Sequence, residues 1–100
     1  MAIKIIWTKT AVLQRRKILI YWNKRNKSTT YSKKLVIEIA QRVKFLANNP
    51  EVYIKTSFSD IRTSTLGHYN IFYKTTPNEL IVMAFWDNRQ NPKKLELILK

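Results

Sequence analysis

Two arginines, one histidine and a long run of cations are the side chains of this 100-residue chain best equipped for chemistry. Arg89 follows an apolar run from Leu80 to Trp86, a place from which a guanidinium can fork onto a phosphate or a carboxylate. Its simpler alternative is an ion pair with Asp87 or a cap on the last turn. Arg62 carries the same two readings, with Asp60 as the nearby carboxylate. His68 is the sole histidine and the only side chain whose ordinary pKa lies near neutrality, which suggests a general base. It follows the lone glycine, Gly67, with no acid close in sequence to orient its ring, so a solvated turn histidine is the plainer reading. Trp7, Trp22 and Trp86 offer faces for stacking bases, yet each lies in an apolar pattern that favours packing.

The charge distribution is more informative than any single residue. Nineteen basic residues stand against six acidic ones, for a net charge of +13. Residues 1–50 hold twelve of the basic residues and one acid, Glu38; from Met1 to Ile37 there are ten basic residues and no acid. Such a field attracts polyanions or acidic proteins. The cluster Arg15, Arg16, Lys17, Lys24, Arg25, Lys27, Lys33 and Lys34 is the expected contact surface. A merely solvated helix face usually mixes signs for local pairing, and here no acid is present to mix. Cysteine is absent, which removes disulfides, thiolate metal sites and cysteine nucleophiles. One histidine and six carboxylates make a metal site improbable on composition, and no cofactor is expected. The apolar run Leu80 to Trp86 is far too short to span a bilayer, and Lys4 interrupts the apolar start, leaving no signal-peptide core. A cytoplasmic protein without a membrane partner is the expectation, with residues 1–100 as a single domain.

These side chains need elements to position them. Ile3 to Trp7 alternates and carries β-branched residues, which predicts a short strand. Thr8 or Thr10 then caps a helix whose inner face is Ala11, Gln14, Ile18 and Tyr21–Trp22. Asn23 to Thr30 has no apolar residue and predicts the helix–helix connection. Ser28, Thr29 or Thr30 caps a second helix over Tyr31 to Asn48, with Tyr31, Leu35, Ile39, Val43 and Leu46–Ala47 inward. Asn48-Asn49-Pro50 ends it, since asparagine tolerates the left-handed conformation and proline cannot continue the ladder. The second half changes period. Val52 and Ile54, then Ile61 and Thr63, alternate around a polar Thr56-Ser57-Phe58-Ser59 stretch. Gly67 turns between strands, and Tyr69 to Thr75 and Glu79 to Trp86 are strands joined by Thr76-Pro77-Asn78. Pro92 to Lys100 predicts a last helical turn or two. The fold class is therefore α+β: a two-helix antiparallel hairpin on one face of a small, mainly antiparallel twisted sheet, in the order β-α-α-β-β-β with a possible short C-terminal helix.

This order, and the residues within it, resembles the RelE/ParE family of bacterial toxins from type II toxin–antitoxin pairs. The likeness rests on a first strand ending in Trp7-Thr8, on Tyr21-Trp22 with Arg25-Asn26, and on Tyr31-Ser32-Lys33-Lys34-Leu35. Leu46 to Pro50, Ile61-Arg62, Gly67 to Tyr73, and Trp86-Asp87-Asn88-Arg89-Gln90-Asn91-Pro92 complete it. The resemblance implies a toxin neutralised by a cognate antitoxin, able to form a homodimer, with either of two targets. ParE-like members inhibit DNA gyrase by binding; RelE-like members are endoribonucleases that cut messenger RNA on the ribosome. Laid on the nuclease pattern, Arg62 and Arg89 match phosphate-stabilising positions, with His68, Tyr69 or Lys55 left to move protons. Asn70 stands where the nucleases usually have arginine, Asp60 where they have a second strand lysine, and Leu95 near their carboxyl-terminal tyrosine. A carboxylate at position 60 repels the phosphate that a lysine attracts. The resemblance thus leans toward the ParE-like side, with Arg15, Arg16, Lys17, Lys24, Arg25, Lys33 and Lys34 as the polyanion- or antitoxin-binding surface.

Overall fold

A computed structural model describes residues 3–49, 52, 54–56, 60–90 and 92–99. The elements are β1 (Lys4–Trp7), α1 (Lys9–Asn26), α2 (Thr30–Asn48), β2 (Ile54–Lys55), β3 (Arg62–Leu66), β4 (Tyr69–Thr75), β5 (Glu79–Asp87) and α3 (Pro92–Leu99). No helix among the described residues is long and apolar enough to cross a membrane.

The helical hairpin begins where the sequence places it. Thr8 is extended at φ −67° and ψ 158°, and its hydroxyl accepts from the Ala11 amide at 3.2 Å while donating to the Met83 carbonyl at 3.2 Å. One side chain thus satisfies an orphan amide of the first turn and ties the helix start to β5. The connection is shorter than the polar stretch Asn23 to Thr30 suggests, because α1 continues through Asn26. Lys24 and Arg25 suit a helix C-terminus, where the dipole favours cations. Lys27 then takes the left-handed conformation, φ 50°, and closes α1 on the Asn23 carbonyl. Within α2, Ser32, Leu35, Ile39, Val43, Leu46 and Ala47 are buried. Tyr31 is not, being over a third exposed; its expected place inside falls to Ser32, whose hydroxyl donates to the Asn23 side-chain oxygen and the Thr29 carbonyl. The residue before α2 is Thr29, and its side chain makes no capping bond; the Ser28 hydroxyl, one residue earlier, accepts from the Thr30 amide at 3.2 Å. The left-handed exit expected at the asparagines does not occur: Asn49 ends α2 at φ −136°, its side-chain amide donating to the Phe45 carbonyl at 2.9 Å. Pro50, Ser57, Phe58, Ser59 and Asn91, which figure in the sequence reading, lie outside the described residues.

The sheet has the order β1-β5-β4-β3-β2. β1 runs parallel to β5, and the other neighbours pair antiparallel. β5 lies inside the sheet between β1 and β4, and helices cover both its faces, which explains why Leu80 to Trp86 is apolar on both parities. Leu80, Val82 and Phe85 face the α1–α2 hairpin with Tyr69, Ile71 and Tyr73. Ala84 and Trp86 face the opposite side with Phe72 and Ile61, beneath Leu99 of α3. The change of parity inside β5 comes from a bulge. Phe72 pairs Ala84 while Tyr73 pairs Val82, so Met83 is the extra residue, and the strand re-aims its side chains there. Beyond Trp7, β1 no longer covers β5, and Gln14 of α1 takes over, its amide oxygen accepting from the Phe85 N–H at 2.9 Å. The expected turn at Gly67 is present, at φ +61°, a conformation with no Cβ penalty for glycine.

Candidate functional site

Where the last turns of α1 meet the end of β5 and α3, a groove of about 540 Å³ opens. Its floor is apolar and aromatic, from Ile18, Phe85, Trp86 and Ile98 with Tyr21, Trp22 and Tyr69. Lys17, Arg89 and Lys94 supply positive charge and Asp87 the one carboxylate. The groove follows from helix periodicity. Ile18 and Trp22 are four residues apart and so share the inner face of α1, which carries Trp22 to the start of β4.

Trp22 is locked there. Its indole N–H donates to the Tyr69 hydroxyl at 2.6 Å, and it meets Tyr21 and Tyr31 edge-on at centroid separations of 5.1 and 4.9 Å. Burial pushes the Tyr69 phenol above its ordinary pKa, outweighing the lowering by Trp22. At neutral pH Tyr69 therefore stays protonated and is a poor base. Arg89 makes the ion pair with Asp87. Its guanidinium holds the Asp87 carboxylate through two bonds, 3.0 and 2.8 Å, and its backbone N–H adds a third at 2.9 Å. The Arg89 side chain beside it keeps the Asp87 carboxyl below its ordinary pKa, against the effect of burial, and Asp87 in turn raises that of Arg89. The same guanidinium lies 5.9 Å from the Trp22 ring centroid, within cation–π range.

The proposed nuclease residues do not converge. Arg62 opens β3, paired across to Tyr73 and to Lys55 of β2, whereas Tyr69 pairs Asp87 at the other end of β4. Four residues of strand separate the two positions, roughly 13 Å at the usual rise. His68, Tyr69 and Arg89 do share one end of the sheet: the His68 carbonyl accepts from the Asn88 amide at 2.9 Å. His68 itself is an exposed turn residue, as the plainer reading has it. Asp60 sits just before β3 in a left-handed conformation, φ 63°.

The basic residues of the hairpin divide into two sets. Arg15 lies 4.3 Å over the Trp7 ring, Arg25 donates to the Tyr21 hydroxyl at 3.0 Å, and Lys34 pairs with Glu38 at 3.9 Å. Arg16, Lys17, Lys24 and Lys33 are exposed and make no ion pair among the described residues. The tryptophans pack as their apolar settings suggest: Trp7 and Trp22 lie against the core under the hairpin, and Trp86 is buried on the far face. Sequence reasoning missed Tyr21 and Lys94 as neighbours of one groove. The i, i+3 spacing of Ile18 and Tyr21 carried a signal for the first. Nothing in the sequence says where α3 lies, so Lys94 had none. Among the described residues no cluster of histidine, cysteine or carboxylates is arranged to hold a metal ion.

Comparison with known proteins bears on what this architecture is. A solved structure titled as the chromosomal ParDE toxin–antitoxin system from P. aeruginosa shares the fold, with TM-score 0.72 and 18% sequence identity over 84% of this chain and 94% of that one. No curated protein sequence matches the chain. The family model described as ParE toxin of the type II toxin–antitoxin system parDE matches residues 5–92, from β1 to the first residue of α3. The chain belongs to the ParE toxin family of type II toxin–antitoxin systems.

Proposed function

We propose that this protein is the toxin of a type II pair, held inactive by a cognate antitoxin and acting on DNA gyrase by binding rather than by cutting nucleic acid. The observation that carries this reading is the ParE family match across residues 5–92. The site geometry supports it. A 2′-hydroxyl attack on RNA needs a base, phosphate stabilisation and an acid within reach of one another. Here Arg62 opens β3 opposite Tyr73 while Arg89 follows β5 beyond the Tyr69–Asp87 pair at the other end of the sheet, Arg89 is held by Asp87, and Tyr69 is a poor base.

The antitoxin is expected to present an acidic segment to the hairpin, where Arg16, Lys24 and Lys33 lie exposed without ion pairs among the described residues. Charge complementarity of this kind speeds association and fixes register. Growth arrest on induction, relieved by co-expressing a cognate antitoxin, tests the pairing. For the target, the purified toxin is given in parallel to a gyrase supercoiling reaction and to translating ribosomes with primer extension across the message. Inhibited supercoiling and an uncut message are the expected pair of results. Cuts within codons, lost in Arg89→Ala, replace this reading with the RelE-like one.

A further inference from the structure

We infer that the groove between α1, β5 and α3 is a binding site for a nucleotide, a planar base carrying phosphate. Its volume, about 540 Å³, falls in the size range of small-ligand sites. The walls offer two kinds of contact in one place. Tyr21, Trp22 and Tyr69 form an aromatic side, and Lys17, Lys94 and Arg89 a cationic one.

The aromatic side has a free surface. Tyr21 is nearly half exposed, and its perpendicular contact with Trp22, at 86°, leaves at least one face of the phenol ring clear of the indole. A base can stack on that face. Trp22 and Tyr69 are joined within the lining by their 2.6 Å hydrogen bond. The cationic side is not neutralised. Asp87 is engaged by Arg89, while Lys17 and Lys94 are exposed and make no ion pair among the described residues. The groove therefore presents two uncompensated ammonium groups beside a stacking ring. A purely apolar ligand leaves those charges unused, and a bare polyanion leaves the rings unused. A nucleotide uses both.

The nucleotide can be free or can be one unit of a single strand, and the experiment separates these sources. Tryptophan fluorescence of the whole chain is titrated with ATP, with a short oligothymidylate, with tripolyphosphate and with adenosine. Saturable binding of ATP or of the oligonucleotide is expected, with tripolyphosphate and adenosine each weaker by about tenfold or more. Lys17→Ala with Lys94→Ala should weaken the nucleotide by a similar factor. Tyr21→Ala should weaken it while leaving the residual binding of tripolyphosphate unchanged. Lys9→Ala with Lys44→Ala removes the same charge elsewhere and should change little. Circular dichroism of each variant confirms that it is folded. ATP alone responding identifies a free nucleotide as ligand; the oligonucleotide alone responding identifies a strand. If tripolyphosphate binds as tightly as ATP and the oligonucleotide, or if the groove variants weaken binding no more than the Lys9/Lys44 pair, the inference is overturned. No gyrase is present in this assay, so its outcome is independent of the target proposed above.

Discussion

Among the described residues, the face under the two long helices holds a cluster of thirteen buried residues, those helices' own included, and the face under the eight-residue α3 holds one of five, Leu99 of α3 included. The first face runs from Ala11 and Ile39 through Tyr73 to Phe85, with α1 and α2 also packed on each other. The second rests on Phe72, Ala84 and Trp86, with Leu99 closing it and Leu97 left 80% exposed. Each fully buried aliphatic or aromatic side chain contributes about 1.5–3 kcal/mol relative to exposure, so the hairpin face carries most of the stability. The thinner face is also where Lys94 and Ile98 form one wall of the groove. The fold therefore separates its work. A rigid, cation-bearing hairpin is built on the strong face, and the ligand-sized opening lies where the weakly held helix meets it.

Unequal faces should give unequal mutational costs. Phe85 is 1% exposed under the hairpin, and Phe85→Ala should destabilise by about 3–5 kcal/mol, whereas Leu99→Ala, at a margin able to collapse, should cost about 2 kcal/mol. Urea denaturation measures both, and equal losses would break the comparison. Next in size is the bond from Gln14 of α1 to the backbone of β5. Gln14→Met keeps the volume but leaves the Phe85 amide without its partner, for about 1–3 kcal/mol, read from the same denaturation curves.

The smallest effect concerns the rim. Because Arg89 lowers the folded-state pKa of Asp87, the pair adds stability that is present above the unfolded carboxyl value, about pH 4. That stability is lost as pH falls through the folded value. Asp87→Asn should lower the urea midpoint modestly at pH 7 and at pH 5, and the difference from wild type should fade in more acidic solution. The effect stays small because the Arg89 side chain is half exposed and water screens such a pair. A difference that grows on acidification would contradict this assignment.

The fold was largely legible because its signals are periodic. The four-residue recurrence of Leu35, Ile39 and Val43 fixes the inner face of α2, and the alternation of Tyr69, Ile71 and Tyr73 fixes that of β4. The misreadings came from residues whose role is set by distant partners. Asn23 looked like loop until Ser32 of α2 supplied its hydrogen bond. Tyr31 fitted the apolar stripe yet sits at its margin, edge-on to Trp22. Single-faced helical cover of β5 was the natural expectation, and α3 showed otherwise. The site was less legible still. Arg62 and Arg89 are equally plausible on paper, and only strand register shows them at opposite ends of the sheet. Asp87, first weighed as a mere partner for Arg89, proved to be what occupies it.

Gyrase supercoiling measured against toxin concentration is the most direct test of the central claim. Three proteins are compared: the wild type, Arg62→Ala with Arg89→Ala, and Arg16→Ala with Lys24→Ala and Lys33→Ala. Action by binding rather than by cutting predicts inhibition by the first two alike, and an antitoxin held by the exposed hairpin cations predicts that the third is neutralised about tenfold less readily by its antitoxin. Unimpaired gyrase at micromolar wild-type toxin, or activity that vanishes only when Arg62 and Arg89 are removed, would contradict it.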